Sequence, residues 1–324
     1  MKLGKWVGAA VLAAGVAFGV ADESRAEDPL NVVATTGMIA DAASVVGGEH
    51  VNVRALMGPG VDPHAYRQTR SDIAAATRAD VVLRHGLYLE AQMEKFFEGL
   101  SGRVPVVAVA EAVPEADLLA HDTYGDKFDP HIWMDPTSWT QAVEAVRDAL
   151  SEAAPSHADE FAANAADYIA EIRALEDYSK DVLATVPAEQ RVLLTAHDAF
   201  KYFGDAYDYE VLGIQGISTE SEAGLQRITT LVDDIVERKI AAVFVETSVS
   251  DRNIRALVEG AAAKGHQVIV GGELFSDAMG VPGTYEGTYL GMIDHNVTTI
   301  ANALGGDAPE KGRLGRLALG PERS

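Results

Sequence analysis

Two short stretches place an acidic residue, a proline and a histidine in a row. One is Asp62-Pro63-His64; the other, Asp129-Pro130-His131, runs on as Ile132-Trp133-Met134-Asp135-Pro136. Proline fixes its own φ and biases the residue before it toward extended geometry, so each imidazole sits on a stiffened loop. A metal site needs that stiffness, because ligands must stand close to their final geometry before the ion arrives. Taken singly, each copy reads more simply as a turn carrying a surface histidine. Two copies in a chain with nine histidines make a metal site an equal contender.

Composition narrows the chemistry. The 324 residues include no cysteine, which removes disulfides, thiolate zinc sites, cysteine nucleophiles and a lipid-bearing cysteine. Any metal must be held by nitrogen and oxygen. The formal net charge of −23 argues against nucleic acid or an anionic membrane as partner. It suits attraction of cations, and it suits a generically soluble surface equally well. At the start, Lys2 and Lys5 precede a 15-residue apolar or glycine run over residues 6–20, and Ser24-Arg25-Ala26 offers small residues where a signal peptidase reads. The run is short for a membrane span. Residues 1–26 therefore read as an export signal, cleaved near Ala26. The expected mature protein is exported and has no direct membrane anchor, and the periplasm is its expected compartment.

The elements that would position the histidines alternate. Strands are expected over residues 31–36, 51–57, 81–85 and 104–110, and helices over 38–46, 71–78 (with Ser71 as N-cap) and 87–100. An irregular polar stretch over 111–130 leads to His131, and a helix follows over 137–154. Ser156 and Asp159 stand in capping-box spacing before a helix over about 157–185. Its apolar stripe is Phe161, Ala165, Tyr168, Ile172, Leu175, Ser179, Val182 and Val186. Such a helix spans about 43 Å, longer than one domain of this size needs. It reads as a spine between two lobes; a coiled-coil dimer would show the same stripe. The alternation then restarts, with strands over 192–195, 211–217, 241–245 and 267–270 and helices over 199–207, 221–239, 253–264 and 289–304. A glycine-rich loop fills 271–288. The fold class is α/β: two similar lobes with mainly parallel sheets, joined by one long backbone helix. The expected division is an export signal over 1–26, an N-terminal lobe over 27–154, the linking helix over 155–188 and a C-terminal lobe over 189–324.

Open α/β sheets bind ligands at the carboxyl ends of their strands. His197 ends the strand over 192–195, and Asp277 follows the strand over 267–270. His64 follows a first-lobe strand, and His131 lies on a loop leaving the same lobe. Two ligands per lobe meeting in the cleft would put three imidazoles and a carboxylate around one divalent first-row metal. The other histidines read differently. His50, His157 and His266 sit at element boundaries and read as solvated. His121 reads as solvated or as a transient ligand, His85 as packing or support behind the site, and His295 as structural.

At these residues the sequence resembles the cluster A-I solute-binding proteins of ABC transporters for zinc, manganese and iron. The matching segments include Val32-Val33-Ala34-Thr35-Thr36-Gly37-Met38, Gly60-Val61-Asp62-Pro63-His64-Ala65-Tyr66, Thr195-Ala196-His197-Asp198-Ala199-Phe200, Gly213-Ile214-Gln215-Gly216-Ile217-Ser218-Thr219, Phe244-Val245-Glu246-Thr247-Ser248 and Gly272-Glu273-Leu274-Phe275-Ser276-Asp277. The resemblance puts metal ligands on His64, His131, His197 and Asp277. It implies two α/β lobes joined by one helix, Zn2+ or Mn2+ as transported ligand, no catalysis, and delivery to a cognate ABC permease in the inner membrane by a monomer. A histidine at 197 looks like the zinc and mixed zinc/manganese branches. Asp277, and the near absence of a histidine-rich loop before His131, look like the mixed branch. Glu246 reads either as a carboxylate that orients a ligand ring or as a solvated strand end. The competing function is a secreted zinc hydrolase with Glu246 or Asp277 as base. No HExxH or comparable signature supports it.

Overall fold

The computed structural model describes Met1, residues 28–121 and residues 124–318. The export signal expected over 1–26 lies, apart from Met1, outside the described residues. Among those described, no helix is long and apolar enough to cross a membrane.

The first lobe is built on β1 (Leu30–Ala34), β2 (Val51–Ala55), β3 (Val81–Arg84) and β4 (Val106–Ala108). All pair in parallel, in the order β2-β1-β3-β4. Between and after them run α1 (Gly37–Gly47), α2 (Arg70–Ala76), α3 (Glu94–Leu100) and α4 (Pro136–Ala153). The second lobe carries β5 (Val192–Thr195), α6 (Lys201–Tyr207), β6 (Glu210–Gly213), α7 (Leu225–Arg238), β7 (Ala242–Glu246), α8 (Arg252–Ala263), β8 (Ile269–Leu274) and α9 (Tyr289–Ala303). Its strands form parallel pairs β5-β6 and β7-β8, and β5 runs beside β7. The spatial order is therefore β6-β5-β7-β8, the same as in the first lobe. In both lobes the first strand is one of the two central strands.

The long helix α5 runs from Ala158 to Leu183, 26 residues and about 39 Å. It packs on α1 and α4 of the first lobe and on α9 of the second. The residues of its stripe, including Phe161, Ile172, Leu175 and Val182, are buried. One continuous apolar core joins Val32, Trp139 and Phe161 to Phe203, Phe244 and Tyr289 across both lobes. Close-packed interiors resist continuous deformation, so this shared core restricts how far the lobes can part.

Several expected boundaries move, each for a local reason. The N-cap of α2 is Thr69 rather than Ser71, because Thr69 and Asp72 satisfy each other's backbone N–H groups in a capping box. The helix expected over 87–100 starts late. Leu87 (φ 51°) and Tyr88 (φ 68°) are left-handed, a 3-10 turn covers Ala91–Met93, and α3 follows. The cause is the buried Glu90 carboxylate. It accepts hydrogen bonds from His85 N (2.7 Å), Gly86 N (3.1 Å) and Thr35 Oγ1 (2.6 Å), which pins the segment as a loop. The capping box expected before α5 gives way to a 3-10 turn over Pro155–His157, and His157 takes the N-cap position without a side-chain cap. Gly271 and Gly272 belong to β8, not to a loop. A Cβ at Gly271 would stand 2.7 Å from the Phe244 ring, and one at Gly272 2.4 Å from Thr299 Cγ2. Glycine is there to let the strand lie flat against its neighbours.

Candidate metal centre

The cleft between the lobes collects one side chain from each of four distant points. His64 lies on the loop after β2, and His131 stands at the turn leading into α4. His197 follows β5, and Asp277 follows β8. One donor atom from each lies within 4.8 Å of the other three, and all four residues are buried. His64 Nε2 is 3.3 Å from His131 Nε2. Asp277 Oδ1 is 3.4 Å from His131 Nε2, and its Oδ2 is 3.2 Å from His197 Nε2 and 3.9 Å from His64 Nε2. Among the described residues, the Asp277 oxygens and His197 Nε2 face the other members of the cluster and have no hydrogen-bond partner outside it. Buried oxygens and nitrogens that face one another at one point can form a donor set.

Each ring is aimed from behind. Asp129 Oδ1 accepts from the His131 backbone N–H (3.0 Å) and pairs with Nδ1 (2.6 Å). Glu246 Oε1 accepts from the His197 backbone N–H (2.8 Å), and its Oε2 pairs with Nδ1 (2.5 Å). In both rings Nδ1 is thereby the donor and Nε2 points to the cluster. Glu246 is buried, so its reading as a solvated strand end is overturned. Asp62 Oδ1 accepts from the His64 backbone N–H (2.9 Å), just as Asp129 does for His131. The DPH stretch is thus a device of three parts: the aspartate ties down the backbone two residues on, the proline fixes the path, and the histidine is presented. Proline is legible in the sequence as a source of stiffness, whereas the hydrogen bonds of Asp62 and Asp129 are not, although both aspartates stand in the motif.

Further support comes from across the cleft. Trp133 Nε1 donates to Ser276 O (2.8 Å), beside Asp277. Thr219 Oγ1 donates to Asp62 Oδ2 (2.5 Å), joining the loop after β6 to the loop bearing His64. His85 is buried behind the site, its Nε2 paired with Pro130 O (2.6 Å) and its ring edge-on to Trp133 at 4.9 Å. His121 stays outside the cluster and accepts from Tyr124 N at 3.3 Å. His295 bonds Glu273 O at 2.9 Å from α9, a structural role.

The three imidazoles differ electrostatically. Burial pushes His64 down to about 3, so it is neutral. Burial also opposes charge on His131, but Asp129 and Asp277 outweigh it and raise the ring to about 9. Burial opposes charge on His197, yet Asp277 and Glu246 lift it well above the usual imidazole range. For Asp277, burial works against ionisation, and the neighbouring imidazoles, His197 foremost, override it and hold the carboxyl well below its usual range. The carboxylates thus favour protons on His131 and His197, at the positions where a cation with two charges would fit.

A buried cluster enclosed between two similar α/β lobes, with a rigid helix across them, defines a two-lobed binding protein. Residues 32–303 match the family described as ZnuA, zinc-uptake complex component A, periplasmic. The chain is 48% identical over 279 residues to the manganese-binding lipoprotein MntA of Bacillus subtilis strain 168, covering 86% of this chain and 91% of that one. It is 44% identical over 302 residues to the zinc-binding protein TroA of Treponema pallidum, covering 91% and 97%. The solved periplasmic zinc binding protein TroA from Treponema pallidum superposes with a TM-score of 0.83, over 85% of this chain and 99% of that one. The chain belongs to this family of metal-binding solute-binding proteins. Such proteins serve ABC transporters together with a permease and an ATPase; they are not enzymes, and the hydrolase alternative has no support.

Proposed function

We propose that His64, His131, His197 and Asp277 ligate a single zinc or manganese ion, which the protein carries to the inner-membrane permease of its transporter. The observation that carries this reading is the convergence of the four donors from both lobes within 4.8 Å. Zinc–nitrogen bonds of about 2.0–2.1 Å place the corners of a tetrahedron about 3.3 Å apart. The separations of 3.2, 3.3 and 3.4 Å between neighbouring donors suit that spacing. With both Asp277 oxygens turned toward the nitrogens, a second carboxylate bond is available, and added oxygen ligation suits manganese.

The ion enters as substrate. His64 offers a lone pair directly, while His131 and His197 give up protons from Nε2 and keep Nδ1–H on Asp129 and Glu246. The pairing of Thr219 with Asp62 and the Trp133–Ser276 bond hold the lobes shut around the ion, so release to the permease requires them to loosen. The working units are residues 27–154, the helix-bearing segment 155–188 and residues 189–324. The protein acts in the periplasm as a monomer after cleavage near Ala26. No cysteine in the sequence could carry a thioether-linked lipid anchor.

The test is single alanine substitution of His64, His131, His197 and Asp277, each titrated with zinc and manganese by calorimetry. Loss of affinity of at least about 100-fold is expected at each position. Near-native affinity at two or more of the four positions defeats the assignment.

A further inference from the structure

A second cluster with metal-ligand chemistry lies at the far end of the first lobe, by the amino ends of the strands. His50 ends the turn before β2, and His157 and Glu160 open α5. One donor atom from each lies within 4.8 Å of the others. His50 Nε2 is 2.9 Å from Glu160 Oε2. The two rings stack at 3.7 Å with a 17° interplanar angle, and the Phe161 ring stands 6.1 Å from each. The His50 side chain is 19% exposed and that of Glu160 51%, so solvent reaches the donors. A cavity of about 240 Å3 adjoins them, lined by Asp28, Leu30, His50, Pro155 and His157.

We infer that His50, His157 and Glu160 form a second, weaker divalent-metal site that ties the start of β2 to the start of α5. Two imidazoles and one carboxylate favour zinc-like first-row ions over manganese, because nitrogen donors follow the Irving–Williams order. The three residues come from two separated chain segments, so an ion there cross-links the sheet to the long helix. To share an ion, the rings swing from stacking to an edge-on approach, and the adjoining cavity leaves room for that rotation. Two features limit affinity. The protein supplies only three ligands, and the positive end of the α5 dipole opposes a cation at its first turn. Exposure makes the ion exchangeable, in contrast to the enclosed cleft. The site shares no residue with the cleft cluster, so it stands or falls independently of the function proposed above.

The test uses the full chain with the cleft disabled by His197→Ala and Asp277→Ala. Zinc is titrated calorimetrically, and ring-nitrogen NMR shifts of His50 and His157 are followed. One binding event is expected, accompanied by shifts of both rings. In the chain with an intact cleft, that event follows the cleft event and is at least about 100-fold weaker. His50→Ala or His157→Ala removes it, and Glu160→Gln weakens it about 10-fold. Because Glu160 is half-exposed, that variant keeps the test valid if a histidine variant fails to fold. The inference is overturned if the cleft-disabled protein binds no zinc, if the event persists undiminished in the folded variants, or if the two rings do not shift.

Discussion

Metal capture by the cleft should be an exchange of one divalent cation for two protons. In the metal-free protein, His131 is raised to about 9 and His197 well above the imidazole range, whereas His64 is held near 3. At pH 7 the cluster therefore holds two imidazolium charges against the carboxylates of Asp129, Asp277 and Glu246, for one net negative charge. A bound M2+ with three neutral imidazoles and the same three carboxylates has the same net charge. The swap introduces no additional buried charge, which is the expensive event in a low-dielectric interior. Between pH 6 and 8, the binding constant should rise about 100-fold per pH unit, roughly 2.7 kcal/mol. The assay is zinc calorimetry in buffers of differing ionisation enthalpy, which counts protons released per ion. Release near two is expected at pH 7. Release below about 0.5, with affinity flat from pH 6 to 8, would refute the electrostatic account of the site.

Three further outcomes follow from the same structure. Glu246→Gln keeps one acceptor for His197 but loses one of the two carboxylate charges, Asp277 being the other, that hold its proton, so zinc affinity should fall about 10–100-fold and proton release should fall below two, measured by the same calorimetry. Metal-free stability should decline on the alkaline side. The folded pKa of His131 is raised, so its contribution of about 3 kcal/mol is complete below pH 6.5 and disappears as pH climbs through about 9; urea denaturation of chelated protein at pH 6 and pH 9.5 reads it. Phe161→Ala, in the buried stripe of α5, should cost about 3–5 kcal/mol in the same denaturation experiment without altering the stoichiometry of cleft binding.

The shared core sets the scale of any motion between the lobes. Trp139 stacks on Tyr289 at 5.3 Å, and Tyr289 Oη donates to Trp133 O at 2.9 Å, so α9 of the second lobe is keyed into the first. Near the cleft, Thr219 to Asp62 and Gln92 to Glu220 are polar ties in less buried surroundings, whereas the Trp133–Ser276 bond lies in the buried core. Polar contacts that water reaches exchange readily with it, whereas the aromatic core does not.

The sequence by itself marked most of the elements and the four side chains that meet in the cleft. Apolar patterning marked the eight strands of the described residues and the long helix, because the period at which apolar residues recur is a local property of the chain. The two DPH stretches and the strand-end positions of His197 and Asp277 marked four side chains, because loops at strand ends are where parallel sheets present ligands. Only the tertiary structure decided what lies behind those donors. Asp129 and Asp62 act through hydrogen bonds to their own loops, and Glu246 reaches His197 from 49 residues away, a distance no periodicity encodes. The same holds for Glu90, whose buried carboxylate unwinds the start of a helix that its sequence otherwise favours. It holds also for His50 and His157, which read as separate solvated side chains until folding stacks them. Local propensity specifies each segment, but charge, burial and ring orientation are set by which segments meet, and that is a property of the packed chain.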